Sequence, residues 1–540
     1  GRLMERIRAP ELDRALAWLN TDRPLSLREL RGQLVLLDFF TYCCINCLHV
    51  LPTLRALEER HRDDPLVVIG VHSGKFDEER DPARIREALA RHDVRHPVAV
   101  DDGRRLWHAY TIRAWPTLVL VRPDGTIAWT ASGEPDPAQL EARIAEELAA
   151  ARRAGTLGPP SPVRRAPPMA EGFLRYPGKV AVAPDGRLAV ADSGHHRVVV
   201  ATPEGRVLTV VGSGRRGLAD GAFEDAAFDD PQGLCWDGEQ LWLADTQNHA
   251  LRRIDLMTRT VETVGGTGRL GGARFPVGPA PARSVDLRSP WDVVREGQTL
   301  YVAMAGTHQI WALDLAVGTL GPWAGLGAEA LIDGSCSGGS CSGGSCSEDA
   351  GSEGSRSGAG RSGASRPEPL AEAAFAQPSG LALGQDQDGQ RWLYVADAES
   401  SAVRAIALGP GPAAGQVTTL VGEGLFDFGD VDGPGGPGGP ARLQHCLGVA
   451  AGPGGLVVAD TYNHKIKRIA PLHLGEARAA PEVSTIYTGA CALALAEPGG
   501  LAWAPDGSLV VADTNHHRLL RLRFTAAGGS AVIIGFRAAS

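Results

Sequence analysis

Two cysteines, Cys44 and Cys47, stand three positions apart near the start of the chain, shortly after the apolar run 34–40. The run predicts a buried strand and the following residues a helix, so the pair falls at a helix N-terminus. The unpaired N–H groups there stabilise a thiolate, which predicts a lowered pKa for Cys44. The pattern indicates thiol–disulfide exchange, with Cys44 as the nucleophile and Cys47 as the resolving thiol.

Asp38 and Pro116 complete the candidate catalytic set. Asp38 precedes Cys44 by six residues, at the end of the apolar strand. A buried carboxyl group there has a raised pKa and can accept the Cys47 proton near neutral pH. Pro116 opens a later strand, and in the cis form it would offer main-chain groups beside the dithiol to an extended substrate. A structural role for Asp38, as a cap or a paired group in the core, stays open.

These residues resemble the thioredoxin superfamily, and within it the membrane-anchored or secreted reductases. The resemblance covers about residues 10–150 and rests on the Cys-x-x-Cys pair, the acid before it and the Trp-Pro-Thr string. It implies that Cys44 and Cys47 form the redox pair, that Asp38 is the buried acid and that Pro116 is the cis-proline.

Departures from the thioredoxin pattern leave alternatives open. Ile45-Asn46 stands where thioredoxin has Gly-Pro, and Cys43 stands where a Trp is usual. Cys43 is either a small buried hydrophobe or a third redox participant. Trp115, beside the proline, would crowd the substrate groove. This crowding favours the alternative, a redox-inactive domain that binds partners. A zinc site is disfavoured because no second Cys or His pair lies nearby in sequence.

The segments around the cysteines alternate between apolar runs and helical patterns, which predicts an open α/β sheet for residues 1–155. We expect strands at 34–40, 66–71, 117–121 and 126–130, and helices at 48–61, 82–92 and 137–153. Five prolines lie between positions 155 and 172, so residues 156–172 are expected to form a Pro-rich linker.

Residues 173–540 repeat one pattern six times. The string Val-Ala-Asp or Leu-Ala-Asp occurs five times, Val-Ala-Met is a degenerate sixth copy, and a His follows four residues later in five copies. The third positions are Asp192, Asp245, Met304, Asp397, Asp460 and Asp513. Each copy lies among four short apolar segments, which predicts a six-bladed β-propeller. Asp and His at such places are typical of capped turns, so we assign them no catalytic role.

A Ser/Gly-rich tract at about 328–370 interrupts the propeller and is expected to be a flexible insert. Cys336, Cys341 and Cys346 recur in it every five residues. Three thiols at that spacing could bind a soft metal ion. A repeat-expanded flexible loop is the favoured explanation, and we assign the tract no site.

Composition excludes several classes of protein. The chain carries 63 acidic and 54 basic side chains, a net charge of −9, which argues against a nucleic-acid partner. It has no run of 18 apolar residues, so we expect no membrane-spanning helix. Nine cysteines in 540 residues do not make a disulfide scaffold. Because no phosphate-binding or dinucleotide fingerprint occurs, we expect neither a cofactor nor a metal ion.

The whole chain, a Cys-Cys-Ile-Asn-Cys domain followed by Asp-x-x-[Asn/His]-His blades, resembles the NHL repeat-containing protein 2 family. The resemblance implies a multidomain protein with an α/β thioredoxin-like fold and an all-β six-bladed propeller in the cytoplasm; the reductase resemblance implies instead a bacterial periplasm or envelope. We expect a thiol–disulfide oxidoreductase that meets a protein client or reductant at the dithiol groove and one propeller face. The alternatives are a non-enzymatic interaction scaffold and an enzymatic propeller such as a lyase or lactonase.

Overall fold

The computed structural model describes residues 6–538 except 102, 162, 164, 169–171, 273–274, 277, 335–371, 411–413, 476–478, 490–492 and 526–527. The three cysteines of the polar tract, Cys336, Cys341 and Cys346, lie outside the described residues. The chain divides into two compact units, Gly1–Tyr176 and Pro177–Ser540. No helix in the described residues is long and apolar enough to cross a membrane.

The first unit contains the expected open α/β sheet, with strand order β1-β4-β3-β2-β5-β6. Its strands are β1 (Ala15–Leu19), β2 (Leu34–Phe40), β3 (Leu66–His72), β4 (Val98–Asp101), β5 (Thr117–Val121) and β6 (Ile127–Ser132). Its helices are α1 (Ile45–Arg60), α2 (Pro82–Arg91), α3 (Arg105–Ala109) and α4 (Pro137–Ala154). β2 is buried along its whole length, parallel to β3 and antiparallel to β5, which explains its unbroken apolar sequence.

The helices begin where the sequence offers a cap. α2 and α4 each follow an Asp-Pro pair, in which the Asp side chain accepts a backbone N–H group of the first turn and the Pro fits the first helical position. α1 begins at Ile45, three residues before the expected position, because Cys44 is its cap. The sequence analysis missed β1, β4 and α3, which have five, four and five residues, too few to show a clear periodicity.

The described part of the Pro-rich segment packs on the first unit. The Gly158 N–H group donates to the Gly32 carbonyl at 2.8 Å, and the Gln33 side chain donates to the Pro159 carbonyl at 2.6 Å. Val163 packs against the core of the sheet. The sequence predicts a spacer here because proline residues lack the N–H group that regular structure needs. Their carbonyl groups still accept hydrogen bonds, and the Pro159 carbonyl helps to attach the segment to the first unit.

Six sheets with four main strands each follow in the described residues, and they confirm the six-bladed propeller. Each blade uses consecutive antiparallel strands. Blades 1 to 3 comprise Val180–Val182, Leu188–Asp192, Arg197–Ala201 and Val207–Val211; Pro231–Asp237, Gln240–Asp245, Ala250–Asp255 and Thr260–Gly265; and Pro290–Glu296, Thr299–Met304, Gln309–Asp314 and Thr319–Ala324. Blades 4 to 6 comprise Pro378–Gln385, Arg391–Asp397, Ala402–Ala407 and Val417–Val421; Gly448–Gly452, Gly455–Asp460, Lys465–Ala470 and Glu482–Tyr487; and Gly500–Trp503, Leu509–Asp513, Arg518–Thr525 and Gly528–Ile534.

Short strands connect successive blades. Gly221–Ala222, Ala280–Pro281 and Gly433–Pro434 each pair with the outer strand of the blade that follows them. The beginning of the polar tract is bonded in a similar way, because Ile332 exchanges main-chain hydrogen bonds with Ala374 at 3.0 and 3.3 Å. Residues 328–334 are therefore attached to blade 4, and the rest of the expected insert, from residue 335, lies outside the described residues.

Candidate active site

The Cys44 sulfur lies at the N-terminus of α1. Cys44 has extended backbone angles (φ −78°, ψ 118°) and is the cap of the helix, and its Sγ accepts the Cys47 N–H group at 3.4 Å. The described cysteines Cys43, Cys44, Cys47, Cys235 and Cys446 are not in disulfide bonds. Cys44 is half-buried whereas Cys47 is 1% exposed. The thiol that can meet a second molecule is therefore the one at the helix cap.

Cys47 and Asp38 are buried together behind Cys44. Burial, the hydrogen bond to Cys44 and the charges of Cys44 and Asp38 raise the pKa of the Cys47 thiol well above its usual value. Burial also raises the pKa of Asp38 to about 7, an effect partly offset by His96. Neither Asp38 carboxyl oxygen has a hydrogen-bond partner among the described residues. A carboxyl group with that pKa can exchange a proton near neutral pH.

Strand register brings the Pro116 loop to the cysteine end of the sheet. β2 runs into the cysteine loop at Phe40, and the neighbouring β5 begins at Thr117, whose partner in β2 is Phe39. The Trp115–Pro116 peptide bond is cis, and the Pro116 carbonyl accepts the Gly133 N–H group at 2.8 Å. The adjacent strands β2 and β5 thus place the Cys-x-x-Cys motif and the Trp-Pro-Thr motif at the same edge of the sheet, where β2 ends and β5 begins.

The Trp115 side chain has fixed contacts within the domain. Its indole Nε1 donates to the Ser73 carbonyl at 2.9 Å, and its ring lies 4.7 Å from the ring of Trp107. The Arg104 guanidinium lies over the Trp115 ring at 5.0 Å. These contacts hold the indole against α3 and the residue after β3 while Cys44 keeps its partial exposure.

Glu79 orders the cysteine loop, and sequence reasoning missed it. Its carboxylate is completely buried and accepts hydrogen bonds from the Thr41 hydroxyl at 2.5 Å and from the Cys43 N–H group at 2.9 Å. It also accepts the N–H groups of Lys75 and Phe76. Glu79 therefore joins the loop before α1 to the segment after β3. Because Glu79 is far from the cysteines in sequence, no sequence pattern indicated this role.

Two histidines near the cysteines bond within the fold. His72 accepts the Tyr42 N–H group through Nε2 at 3.2 Å, and burial lowers the pKa of His72 to about 3, so its ring is neutral. His49, on α1, has its Nδ1 2.7 Å from the Glu134 carboxylate. Because Gly133 bonds to Pro116, the His49 contact ties α1 to the Pro116 loop.

The comparisons with known proteins match both units. A family model described as Thioredoxin-like matches residues 32–127, and NHL repeat models match 174–201 and 495–522. NHL repeat-containing protein 2 of Gallus gallus is 39% identical over 94% of this chain and 69% of its own length. The chain belongs to the NHL repeat-containing protein 2 family.

Two further relatives share parts of this architecture. The Arabidopsis thaliana protein SUPPRESSOR OF QUENCHING 1, chloroplastic, is 38% identical over 94% of this chain and 46% of its own length. The thiol-disulfide oxidoreductase YkuV of Bacillus subtilis is 28% identical over 26% of this chain and 93% of its own length. The first domain of this family member is therefore thioredoxin-like and related to thiol–disulfide oxidoreductases.

The repeated Asp of the NHL blades is the centre of a buried hydrogen-bond network. In blade 2, Asp245 accepts the Asp229 N–H group at 3.0 Å, the Asn248 amide at 2.7 Å and the Arg252 guanidinium at 2.8 Å. Blades 4 and 5 repeat this arrangement with a buried Arg404 or Lys467. The network fixes the turn between strands, which is a structural function.

Two other versions of the network occur. In blades 1 and 6, which the NHL repeat models match, the Asp bonds a His three residues on and an Arg five residues on, each at 2.8 Å. In blade 3, Met304 replaces the Asp and the buried Trp311 stands where blade 2 has Arg252. The charge and its counter-charge are thus replaced together.

The repeated His joins neighbouring blades. In blades 1, 2, 3 and 5, its Nδ1 accepts a main-chain N–H group of the next blade at 2.9 Å; in blade 4 the Ser401 hydroxyl accepts at 3.0 Å. Each of these residues has a positive φ and follows a 3₁₀ turn. The described residues contain no group of three metal-ligating side chains.

Proposed function

We propose that this protein is a thiol–disulfide oxidoreductase whose propeller docks a client or partner protein. The observation that carries the proposal is the asymmetry of the dithiol. Cys44 is partly exposed at the cap of α1, whereas Cys47 is buried next to an acid that has no hydrogen-bond partner among the described residues. A nucleophile, a resolving thiol and a proton acceptor need these three environments.

The reaction begins at Cys44. Its thiolate attacks one sulfur of a client disulfide, forms a mixed disulfide and releases the other client sulfur as a thiolate, which takes a proton from water. Asp38 then accepts the proton of Cys47, and the Cys47 thiolate attacks the Cys44 sulfur. The Cys44–Cys47 disulfide forms, the second client sulfur leaves, and two electrons have passed to the client. A dithiol reductant restores the pair by the same exchange.

The different burial of the two thiols sets this order. Cys47 has a raised pKa and is inaccessible to a second protein, so it reacts only after a sulfur is bound at Cys44. Pro116 and the main chain beside it lie at the same edge and would hold the client segment. The similarity to YkuV supports redox chemistry of this kind, and the attached NHL propeller supports a macromolecular client or partner.

A disulfide reduction assay tests the proposal. Wild-type protein with a chemical dithiol is expected to reduce an insulin-type protein disulfide well above the rate in buffer alone. The rate with Cys44→Ser is expected to equal the rate in buffer alone. Cys47→Ser is expected to accumulate the mixed disulfide because the resolving step is lost. Cys235→Ser, a free thiol in the propeller, is the matched control and should keep the wild-type rate. Equal inactivity of wild type and Cys44→Ser with several reductants would leave a non-enzymatic scaffold.

A further inference from the structure

His96 lies on the side of the sheet that carries the Asp38 side chain, and its charge acts on Asp38. Asp38 pairs in register with Gly70 of β3, and a Cβ atom at Gly70 would lie 3.5 Å from His96 Nε2. The imidazole edge therefore lies over Gly70, the neighbour of Asp38 in the adjacent strand. His96 is 4% exposed, and its Nε2, like both Asp38 oxygens, has no hydrogen-bond partner among the described residues.

The other side of the His96 ring leads towards solvent. Its Nδ1 lies 3.0 Å from Glu58 Oε1, and both side chains are nearly buried. The second Glu58 oxygen lies 2.8 Å from Arg165, which is about one-third exposed. Glu58, His96 and Arg165 line a cavity of about 530 Å³. A line of titratable groups thus connects the dithiol to this cavity through Asp38, His96 and Glu58.

We propose that His96 is the positioning residue that moves the proton between Asp38 and the cavity. The inference rests on the proposed function, because Asp38 must lose the proton of Cys47 before it can serve again. With its Nδ1 proton donated to Glu58, neutral His96 presents a bare Nε2 that accepts the proton of Asp38 through one bridging water. The Nδ1 proton passes to Glu58 and from there to water in the cavity.

The path runs in both directions during one catalytic cycle. Outward transfer, when Cys47 is deprotonated, leaves His96 with its proton on Nε2. When the Cys44–Cys47 disulfide is reduced again, Asp38 first takes the Nε2 proton of His96, and His96 regains its Nδ1 proton from Glu58, which is protonated by water in the cavity. Asp38 then passes its proton to the Cys47 thiolate. Each cycle therefore restores the first tautomer of the ring and the charge of every group.

The other charged groups near this path already have partners. His61 and Asp64, which line the same cavity at the end of α1, bond each other at 2.8 Å, and the second nitrogen of His61 bonds Glu141 at 2.6 Å. The groups that face His96 are Asp38 from β2 and Glu58 from α1, with Arg165 behind Glu58. A positive charge on His96 also lowers the pKa of Asp38, which burial raises.

Substitutions of opposite electrostatic sign test the proposal. His96→Leu removes the imidazole, whose charge when protonated lowers the pKa of Asp38, and we expect that pKa to rise by roughly half a unit or more. His96→Lys retains a cation without the relay, and we expect this pKa to fall. The carboxyl titration is followed by NMR on the reduced full chain with ¹³C-labelled aspartate, with the Asp38 signal assigned by its loss in Asp38→Asn. Circular dichroism confirms that each variant is folded.

A second measurement is the pH profile of disulfide reduction. In His96→Leu, the acidic limb of the profile is expected to move to higher pH. Glu58→Gln, which retains the imidazole, should lower the turnover rate at every pH. His108→Leu removes an exposed histidine of the same domain and should leave both measurements unchanged. Equal shifts in both His96 variants, or no shift in either, would overturn the proposal. If reduction itself is absent, the proposed function fails while the carboxyl titration still reports the Asp38–His96 coupling.

Discussion

Asp38, the proposed proton acceptor, lowers the stability of the folded domain when it is ionised. A completely buried carboxyl group without a hydrogen-bond partner is unfavourable when ionised, and its raised pKa measures that cost. The same burial gives the group an affinity for protons near neutral pH, where the proposed mechanism transfers one from Cys47. Neighbouring Glu79, equally buried, accepts four hydrogen bonds and orders the loop instead. Their different partners separate the proposed proton carrier, Asp38, from a structural acid, Glu79.

Replacing Asp38 by Asn is expected to stabilise the first domain while impairing exchange. The pKa of Asp38 is about 7 in the folded state against an ordinary 3.8, so the folded state binds more protons between these values. Its stability therefore falls as pH rises from about 4 to 7, a loss that Asn avoids. We expect a gain of about 2–4 kcal/mol at pH 8 and little gain below pH 4, measured by denaturant unfolding.

The control for this prediction is Asp63→Asn, because the Asp63 side chain is 94% exposed. This variant should unfold like the wild type at both pH values. A loss of stability in Asp38→Asn at pH 8 would show that the carboxylate is satisfied in the folded protein, and would contradict the prediction.

Local pattern determined which elements could be predicted. The strands at 34–40 and 117–121 were predicted with their observed bounds because each is an apolar run buried by its neighbours. The six blades were predicted because the same string recurs. Glu79, His96 and Glu58 could not be predicted, because their importance depends on contacts between segments about 35 to 60 residues apart. A sequence shows a residue type but not which distant side chain lacks a partner.

The blade turns give a test of how the buried ion pair is maintained. Arg252→Met would leave Asp245 as a buried charge without its cation, and we expect a loss of about 3–5 kcal/mol. Asp245→Met together with Arg252→Met imitates the uncharged arrangement of blade 3 and should cost less than the single change. The measurement is the propeller transition in differential scanning calorimetry.

Arg253→Met is the matched control for this series, since Arg253 is partly exposed and pairs with Glu262 at the surface. We expect a change within about 1 kcal/mol. Additive losses in the double variant would mean that Asp245 and Arg252 contribute independently, and would contradict the interpretation of blade 3 as a joint replacement.

The propeller closes by repeating one connection around the ring. Segments that leave blades 1, 2 and 4 pair with the outer strand of the next blade, and Arg537, after blade 6, forms a bridge with Arg206 beside the outer strand of blade 1. The Thr514 hydroxyl of blade 6 also donates to the Pro177 carbonyl at 2.8 Å. Blade 6 is therefore bonded to blade 1 much as a blade is bonded to the one that follows it. This explains how a chain of consecutive blades forms a closed ring.

Two buried charged side chains beside the first strands of the blades, Lys179 and Asp292, support the same closure. Lys179 is buried at the start of blade 1, and its ammonium group donates to the carbonyls of Leu447 at 2.6 Å and Gly499 at 3.0 Å, in blades 5 and 6. Asp292 of blade 3 accepts the Leu381 N–H group of blade 4 at 2.9 Å. Burial raises the pKa of Asp292 to about 6, and the charge of Lys179 lowers it. Lys179 thus links blade 1 to blades 5 and 6, Asp292 links blade 3 to blade 4, and their charges offset each other.

Lys179→Met is therefore expected to destabilise the propeller in a pH-dependent way. Without the cation, the pKa of Asp292 in the folded state rises further. Ionised Asp292 therefore lowers the free energy of unfolding above that pKa, and this loss is absent well below it. We expect a loss of about 3–5 kcal/mol at pH 8 and a smaller loss at pH 5, measured by the propeller transition in calorimetry. Lys465→Met, which removes a surface ion pair with Asp430, should cost within about 1 kcal/mol at both pH values. Equal losses for Lys179→Met at pH 5 and pH 8 would show that carbonyl hydrogen bonds alone, and not the charge opposite Asp292, hold the ring closed.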